Sequence, residues 1–290
     1  MLKLPFTKMQ GAGNDYIYVN CMHFTLSHPE RLSQMMSARR FAVGSDGLVL
    51  ICPSAVADAK MRMFNTDGSE GKMCGNAIRC IGKYLYDNRL VTKEIITIET
   101  LSGIRTLKLE TGKYGLVEAV TVDMGCAEFK QGYILVILQD EMINEPMEVA
   151  GKTWSATAVS MGNPHCVVFS CDGKSLDPDT LPLEEIGPVF ESHPLFPERV
   201  NTEFVSVITP THLKMRVWER GSGETRACGT GACAVAAAAV KNGISPCNTP
   251  STVSLRGGDL TLWCSEDYKM TMKGGAVKVY DGVFEYEEIT

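Results

Sequence analysis

The 290-residue sequence lacks the features that mark secreted, membrane-spanning and nucleic-acid-binding proteins. Its first residues, MLKLPFTKMQGAGND, show no basic segment followed by an apolar one, so we expect no secretory signal. The most apolar stretches, 133–138 and 232–240, are far shorter than the roughly 20 residues of a membrane helix. The net charge is −6, and basic residues are not clustered as a nucleic-acid surface requires. We therefore expect a cytoplasmic protein that binds a small molecule, with no membrane or nucleic-acid partner.

Cysteine is abundant, but its spacing fits neither disulfides nor metal. An odd count of 11 without a secretory signal argues against a disulfide framework. No CxxC pair exists, and the closest spacings are Cys74/Cys80, Cys166/Cys171 and Cys228/Cys233, so we expect no structural zinc. The sequence has no Walker loop, and both GAGNDY and GSGETR lack the third glycine of GxGxxG, so no nucleotide cofactor is indicated. Most of the cysteines, including Cys80 and Cys233, are expected to be small buried hydrophobic residues.

The chain repeats itself. The segment KMRMFNTDGSEGKMCGNAIRCIGKYLYDN at 60–88 aligns without a gap with KMRVWERGSGETRACGTGACAVAAAAVKN at 214–242. At this offset of 154 residues (228 − 74), Cys74-Gly75 matches Cys228-Gly229. A second pair, GAGNDYIYV and SMGNPHCVV, repeats upstream at a similar offset, which makes chance similarity in glycine-rich loops a poor explanation. The sequence predicts an internal duplication.

Local patterns predict an α+β fold. KMRMFN and KMRVWE alternate as strands do, turn-rich loops follow them, and helical segments follow each Cys-Gly step. Most remaining segments read as strands, including 95–101, 104–110, 115–124, 251–257, 259–264 and 268–280. We expect two homologous halves related by pseudo-two-fold symmetry, each a mostly antiparallel sheet wrapped on a central helix. The expected domains are 1–128, completed by a C-terminal strand at about 276–290, and 129–275.

Cys74 and Cys228 are the candidate catalytic residues. Both precede a predicted helix, where unpaired backbone N–H groups favour a thiolate, so we expect the pKa of each thiol to be lowered. Two equivalent cysteines facing each other across a cleft could remove a proton from one face of a carbon and return it to the other. This arrangement predicts a racemase or epimerase, and it also predicts that mild oxidation links Cys74 to Cys228 while the other nine cysteines stay mostly reduced.

Two functions of other classes remain open at this point. A thiol hydrolase would pair one cysteine with a base such as His165, which would leave the second cysteine without a role. A non-catalytic binding protein could use the same fold, although the presence of both cysteines favours an enzyme.

The motifs around these cysteines are similar to those of the diaminopimelate epimerase family, to which proline racemase and phenazine-biosynthesis isomerase-like proteins are related. The matching segments are KMQGAGNDYIYV, FNTDGSEGKMCGNAIRC, MGNPHCVVF, NTEFVSV and VWERGSGETRACGTGACA. The resemblance covers essentially the whole chain and implies interconversion of LL- and meso-2,6-diaminoheptanedioate, on the route to lysine and peptidoglycan precursors. It implies no pyridoxal phosphate, no metal and a homodimer. A proline racemase-type enzyme is the related alternative, but that group carries a histidine after its first Cys-Gly.

The resemblance also assigns roles to individual residues. Cys74 and Cys228 correspond to the paired acid and base, and His165 and Glu219 to residues that tune their pKa values. The residues implied in substrate binding are Asn14, Asn65, Gly75, Asn76, Asn163, Asn201, Glu219, Arg220, Gly229 and Thr230.

Structural alternatives exist for several of these residues. Asn65 and Asn201 suit turns or caps, Arg220 suits a surface ion pair, and His165 could be a structural histidine. Gly47 is a departure from the family, because related chains commonly have a glutamine there.

Overall fold

The computed structural model describes residues 1–130 and 140–287, so the apolar stretch at 133–138 lies outside the described residues. None of the helices in those two ranges is long and apolar enough to cross a membrane. The chain divides into two compact units: the first comprises Met1–Val122 with Gly274–Thr290, and the second Asp123–Lys273. The domain division expected from the sequence, at 128/129 and 275/276, stays a prediction.

The elements are named in chain order. The first stretch of the chain contains β1 (Leu2–Gly11), β2 (Asn14–Asn20), α1 (Pro29–Ser37), β3 (Gly47–Cys52), β4 (Ala59–Asn65), β5 (Glu70–Gly71), α2 (Gly75–Asp87), β6 (Ile95–Thr100), β7 (Gly103–Thr111) and β8 (Val117–Cys126). The remaining elements are β9 (Glu145–Val149), β10 (Lys152–Ser160), β11 (Pro164–Cys171), β12 (Lys174–Ser175), α3 (Leu183–Glu191), β13 (Asn201–Thr209), β14 (His212–Glu219), β15 (Gly223–Thr225), α4 (Gly229–Lys241), β16 (Ser251–Leu255), β17 (Gly258–Cys264), β18 (Lys269–Gly275) and β19 (Val277–Tyr286).

The strands of the first unit form a ladder in the order β19-β1-β2-β3-β4-β6-β7-β8. The β2–β3 and β4–β6 pairs are parallel, and α1 and α2 are the crossovers that parallel pairs require. The other pairs are antiparallel, and the short β5 forms a hairpin with β4.

The second unit has the same topology. Its ladder runs β9-β10-β11-β13-β14-β16-β17-β18, and the β11–β13 and β14–β16 pairs are parallel. Helix α3 connects the first parallel pair and α4 the second, while β15 forms a hairpin with β14. Every element of the first unit thus has a counterpart in the second, as an internal duplication predicts, and the short β12 is an addition of the second unit. One connection differs: β9 precedes β10 directly in the chain, whereas its counterpart β19 comes from the far end of the chain.

The strand ladder of each unit encloses one helix. Helix α4 contacts β10, β11, β13, β16 and β17, and its residues from Ala232 to Ala239 are at most 3% exposed. Such burial on all sides suits a helix made largely of alanine, glycine and other small residues, since small side chains allow close approach of the strands around it. Helix α2 contacts β1, β2 and β7 of the first unit in the same manner. The mostly antiparallel, α+β fold expected from the sequence is confirmed.

Three features differ from the sequence-based expectation. Helices α1 and α3 were not expected; α3 contains Pro188, which weakens its helical pattern in the sequence. The strand expected over 268–280 is two strands, β18 and β19, interrupted at the buried Ala276.

Candidate active site

Cys74 and Cys228 lie at equivalent positions, each the N-cap residue of a buried helix. Both have extended backbone angles, and α2 and α4 begin at the following glycine. The Cys228 sulfur accepts a hydrogen bond from the Gly231 backbone N–H at 3.4 Å and lies 3.5 Å from the Thr230 hydroxyl. The first N–H groups of each helix have no partner within the helix, so each cysteine lies beside a site suited to an anion. The helix starts expected from the sequence are therefore present.

In the first unit, Cys74 is held by asparagine side chains. Its thiol donates to the Asn14 Oδ1 atom at 3.4 Å, and the Asn76 amide donates to the same oxygen, also at 3.4 Å. The Asn14 Nδ2 donates in turn to Asp46 at 2.7 Å. Arg79, fully buried in α2, donates to the Asn76 side-chain oxygen at 2.9 Å and to the Gly75 carbonyl at 3.1 Å. The structure therefore brings Asn14, Asn76 and Cys74 together. It also adds Asp46, which the sequence analysis missed.

Asn65 and Gly47 pair with each other at the facing ends of β4 and β3. The Asn65 amide donates to the Ser69 hydroxyl at 3.0 Å, which is the turn role that the sequence left open. Gly47 has a φ of +153°, and a Cβ there would lie 2.2 Å from the Phe64 carbonyl oxygen. A glutamine side chain cannot occupy this position unless β4 moves. The backbone of this chain thus accounts for its departure from the family pattern.

In the second unit, a chain of polar contacts leads from Cys228 into the core. Beyond the Thr230 hydroxyl, the Asn163 amide donates to Thr230 at 3.4 Å, and the Asn163 Oδ1 lies 3.1 Å from His165 Nε2. The other ring nitrogen of His165, Nδ1, lies 2.7 Å from Glu203 Oε1. His165 and Glu203 are both 0% exposed, and the second oxygen of Glu203 has no hydrogen-bond partner among the described residues. Burial of a carboxylate is unfavourable, so Glu203 is an unusual residue for this core.

Sequence reasoning missed Glu203, although it had a signal. Glu203 directly precedes the apolar pair Phe204-Val205 in the strand-like segment NTEFVSV, and it is buried in β13. An acidic residue at a core position of a strand indicates a specific partner.

The remaining predicted residues lie around the end of β14, the hairpin that follows it and the start of β13. Asn201 is 5% exposed, and its Oδ1 accepts from the Arg220 backbone N–H at 2.8 Å. The Arg220 guanidinium donates to the Glu198 carbonyl at 2.7 Å. Glu219 accepts a hydrogen bond from the Thr225 hydroxyl and another from the Cys228 thiol. Glu219 and Cys228 are therefore direct neighbours.

The expectation of a lowered pKa is wrong for Cys228. Burial raises its pKa well above the usual value, and the negative charges of Glu219 and Glu203 raise it further. Hydrogen bonds from Thr230 and the Gly231 N–H act in the opposite direction but are outweighed. Burial also raises the pKa of Glu219, although its hydrogen bonds from Thr225 and Cys228 lower it. In this state Cys228 is a thiol, and a helix N-terminus alone does not ionise it.

The duplication shows how the surroundings of the two cysteines differ. In the first unit, Tyr18 of β2 pairs with Val49 of β3. The equivalent pair in the second unit is Val167 of β11 with Glu203 of β13. Val49 thus occupies the place of Glu203. Tyr16, two residues before Tyr18, occupies the place of His165, which lies two residues before Val167. The buried carboxylate and imidazole belong to the Cys228 side alone.

The two further cysteines of these helices behave as packing residues. Cys80 and Cys233 are each 0% exposed, and burial raises the pKa of Cys80 to about 11. Across residues 1–130 and 140–287, no three His, Cys, Asp or Glu side chains are grouped as metal ligands.

Comparison with known proteins places this architecture in a family. A family model described as diaminopimelate epimerase matches residues 6–130 and 157–279. The diaminopimelate epimerase of Acetivibrio thermocellus is 52% identical over 288 residues, which cover 99% of this chain and 100% of that protein. That of Desulfovibrio desulfuricans is 50% identical over 97% of this chain and 98% of the relative.

Solved structures of lower identity share the fold. A phenazine biosynthesis protein of the PhzF family from Bacillus anthracis has a TM-score of 0.72 at 18% identity, covering 99% of this chain and 100% of that one. A hydroxyproline epimerase from Agrobacterium vitis has a TM-score of 0.72 at 14% identity, covering 97% and 92%. From the family match and the two close relatives, the chain belongs to the diaminopimelate epimerase family.

Proposed function

We propose that this protein is an isomerase that interconverts LL- and meso-2,6-diaminoheptanedioate, using Cys74 and Cys228 as its two acid–base groups. Membership of the family over nearly the whole chain supports the reaction. The observation that carries the assignment of residues is that two equivalent helices each begin at a cysteine. Inversion at one carbon by this route needs two acid–base groups, because the proton must leave from one face and arrive at the other, and a duplicated pair of thiols supplies them.

In the proposed reaction, each of the two thiols acts on one face of the α-carbon of the substrate. One thiolate removes the α-proton while the other thiol donates a proton to the opposite face. The backbone N–H groups at Gly75-Asn76 and Gly229-Thr230 bind the α-carboxylate and stabilise the negative charge that develops as the carbon loses its proton. No cofactor is needed in this scheme.

The remaining polar residues recognise a diamino dicarboxylate. Amide groups both donate and accept, so Asn14, Asn65, Asn163 and Asn201 suit the ammonium and carboxylate groups of the substrate. Glu219 and Arg220 offer opposite charges, the carboxylate for an ammonium group and the guanidinium for a carboxylate.

The resting roles of the two cysteines follow from their surroundings. Cys228 is buried beside Glu219 and near Glu203, so we propose that it rests as the thiol and acts first as the acid. Cys74, whose thiol contacts a neutral amide, is then the base for the first substrate hand. The roles reverse for the opposite reaction.

We propose that His165 and Glu203 position Asn163 and Thr230 beside Cys228. Glu203 accepts from Nδ1 of His165, which fixes the ring, and Nε2 then faces the Asn163 side chain. Glu203 touches no substrate in this proposal and acts only through His165 and through its charge.

The family also suggests the setting of the reaction. We propose a place in lysine and peptidoglycan-precursor synthesis and a homodimeric assembly. A cytoplasmic location suits an enzyme whose mechanism needs two reduced thiols.

The two-base proposal is tested with Cys74→Ala and Cys228→Ala. We expect each variant to lose epimerisation of LL-diaminopimelate while its circular dichroism stays unchanged, because a missing thiol leaves one face without a proton carrier. The native enzyme in heavy water should place deuterium on the inverted carbon. Cys126→Ala, which removes an exposed thiol outside the site, is the matched control. Near-normal turnover in either active-site variant would show that inversion does not need both cysteines.

A further inference from the structure

A second pair of thiols lies in the first unit, away from Cys74. Cys21 directly follows β2, and Cys52 is the last residue of β3. These strands are parallel with Asn20 opposite Ile51, and the Cys21 N–H donates to the Ile51 carbonyl at 2.8 Å, so the ladder continues to Cys21 and Cys52. Neighbouring strands lie about 4.8 Å apart. That separation falls within the Cα–Cα range of about 4.4–6.8 Å found for disulfides.

The two sulfurs already interact. The Cys21 thiol donates a hydrogen bond to the Cys52 sulfur, which raises the pKa of Cys21 and lowers that of Cys52. The positive charges of Arg62 and Lys60 on the neighbouring strand β4 also favour the Cys52 thiolate, and only burial and Glu70 oppose it. Within the pair, Cys52 is therefore the thiol that ionises first, and Cys21 is the one that keeps its proton.

A cavity gives small molecules access to the pair. It has a volume of about 440 Å³, and both Cys21 and Cys52 line it together with Arg62 and the segment that follows Cys21. Cys52 is partly exposed and Cys21 is buried, so a reagent entering the cavity meets Cys52 first.

We propose that Cys21 and Cys52 form a peroxide-reactive dithiol that closes to a reversible disulfide. The Cys52 thiolate attacks hydrogen peroxide: an S–O bond forms, the O–O bond breaks, and the released hydroxide takes a proton to become water. The Cys21 sulfur then attacks Cys52, so that the S–S bond forms, the S–O bond breaks, and hydroxide leaves with the Cys21 proton as a second water. Peroxide is reduced, and two thiols are oxidised.

The disulfide is separate from the catalytic thiols. Asp46, which accepts a hydrogen bond from the Asn14 side chain near Cys74, directly precedes β3. Cys52 is the last residue of β3, at the opposite end of the strand. Six residues of strand separate these ends by roughly 16 Å. This proposal makes Cys21 and Cys52 exceptions to the expectation that the other nine cysteines stay mostly reduced, because these two are partners for each other.

The test uses dilute hydrogen peroxide on the Cys74→Ala/Cys228→Ala double variant, so that the catalytic thiols cannot contribute. We expect the loss of two alkylatable thiols per chain, a Cys21–Cys52 peptide in the non-reducing digest, and full reversal by dithiothreitol. Cys21→Ser should stop at a Cys52 sulfenic acid that dimedone traps, and Cys52→Ser should leave Cys21 reduced. Cys126, exposed in the same protein, is the internal control.

A measurement on the unmodified enzyme avoids dependence on variants that fail to fold. At neutral pH, Cys52 should react with iodoacetamide faster than Cys126, since alkylation requires the thiolate. Equal or slower labelling of Cys52, or a digest in which peroxide leaves Cys21 and Cys52 unlinked, would overturn the proposal.

Discussion

Cys74 and Cys228 are the same residue at the same helical position, yet their neighbours differ in charge. A neutral amide oxygen accepts from Cys74, whereas Cys228 lies beside Glu219 in a buried setting to which Glu203 adds a second negative charge. A two-base enzyme needs one group protonated and one ionised at the start of each turnover. Burial and the carboxylates around Cys228 raise its pKa and so favour the protonated form of that one cysteine.

Glu203→Gln tests this asymmetry at the residue scale. Glutamine keeps an oxygen that can accept from His165 Nδ1 but removes the negative charge, so the pKa of Cys228 should fall while Glu219 continues to raise it. The alkylation rate of Cys228 should then rise at a lower pH than in the native enzyme. We expect kcat to fall roughly tenfold, since weakening one buried hydrogen bond changes the barrier by about 1–2 kcal/mol.

Glu185→Gln, which neutralises an exposed carboxylate on α3, is the control for Glu203→Gln. Peptide mapping of Cys228 alkylation against pH separates an electrostatic role from a structural one. An unchanged Cys228 profile together with a lowered melting temperature would mean that Glu203 serves only the fold.

At the scale of elements, the first turn of α4 packs so closely against Glu203 that it has no room for a side chain at Gly231. A Cβ on Gly231 would lie 2.6 Å from Glu203 Oε1 and 3.2 Å from Cys228 Cβ. The counterpart of Gly231 in α2 is Ala77, and the counterpart of Glu203 there is Val49. The glycine and the carboxylate therefore occur together in one half, and the alanine and the valine together in the other.

Gly231→Ala should destabilise the protein by about 1–3 kcal/mol, as overpacking does, because the buried Glu203 side chain has little room to shift. In a Glu203→Val background the same change should be neutral or stabilising, since alanine favours a helix over glycine by about 1 kcal/mol. Urea unfolding of the four chains gives the coupling energy. If Gly231→Ala lowers the free energy of unfolding equally in the native chain and in Glu203→Val, close packing of Gly231 against Glu203 is not the cause.

The elements that local patterns specify were predicted from the sequence, and those that depend on distant contacts were not. KMRMFN, KMRVWE and the two Cys-Gly steps carry their own periodicity and turn residues, so their strands and helix starts were found. The contacts of Glu203 with His165 and of Cys21 with Cys52 join adjacent parallel strands that are far apart in the chain. No local pattern encodes such a register. The acidity of Cys228 was mispredicted because burial and Glu219 outweigh the helix terminus.

At the scale of the whole molecule, the two units share a topology but differ in how the chain enters it. In the second unit, β9 joins β10 through Ala150 and Gly151, whose φ angles of 52° and 72° suit a type I′ hairpin turn. In the first unit, β19 takes the place of β9, and its Tyr286 pairs with Leu2 of β1. Phe284 and Tyr286 contact the core that contains Leu4 and Phe6, so β19 is part of the first unit's structure.

A circular permutant should therefore fold. Joining Tyr286 to Leu2 through Asn-Gly reproduces the β9–β10 turn, and new termini fit between Lys113 and Tyr114, where Tyr114 is 82% exposed. We expect the permutant to melt within a few degrees of the native chain and to retain epimerase activity, because every strand pair is preserved.

A linear chain that ends at Ala276 lacks β19 and should lose hydrogen-exchange protection in β1 while β13 stays protected. An unfolded permutant, or native protection of β1 in the truncated chain, would show that β19 does not complete the first unit in the way that β9 completes the second.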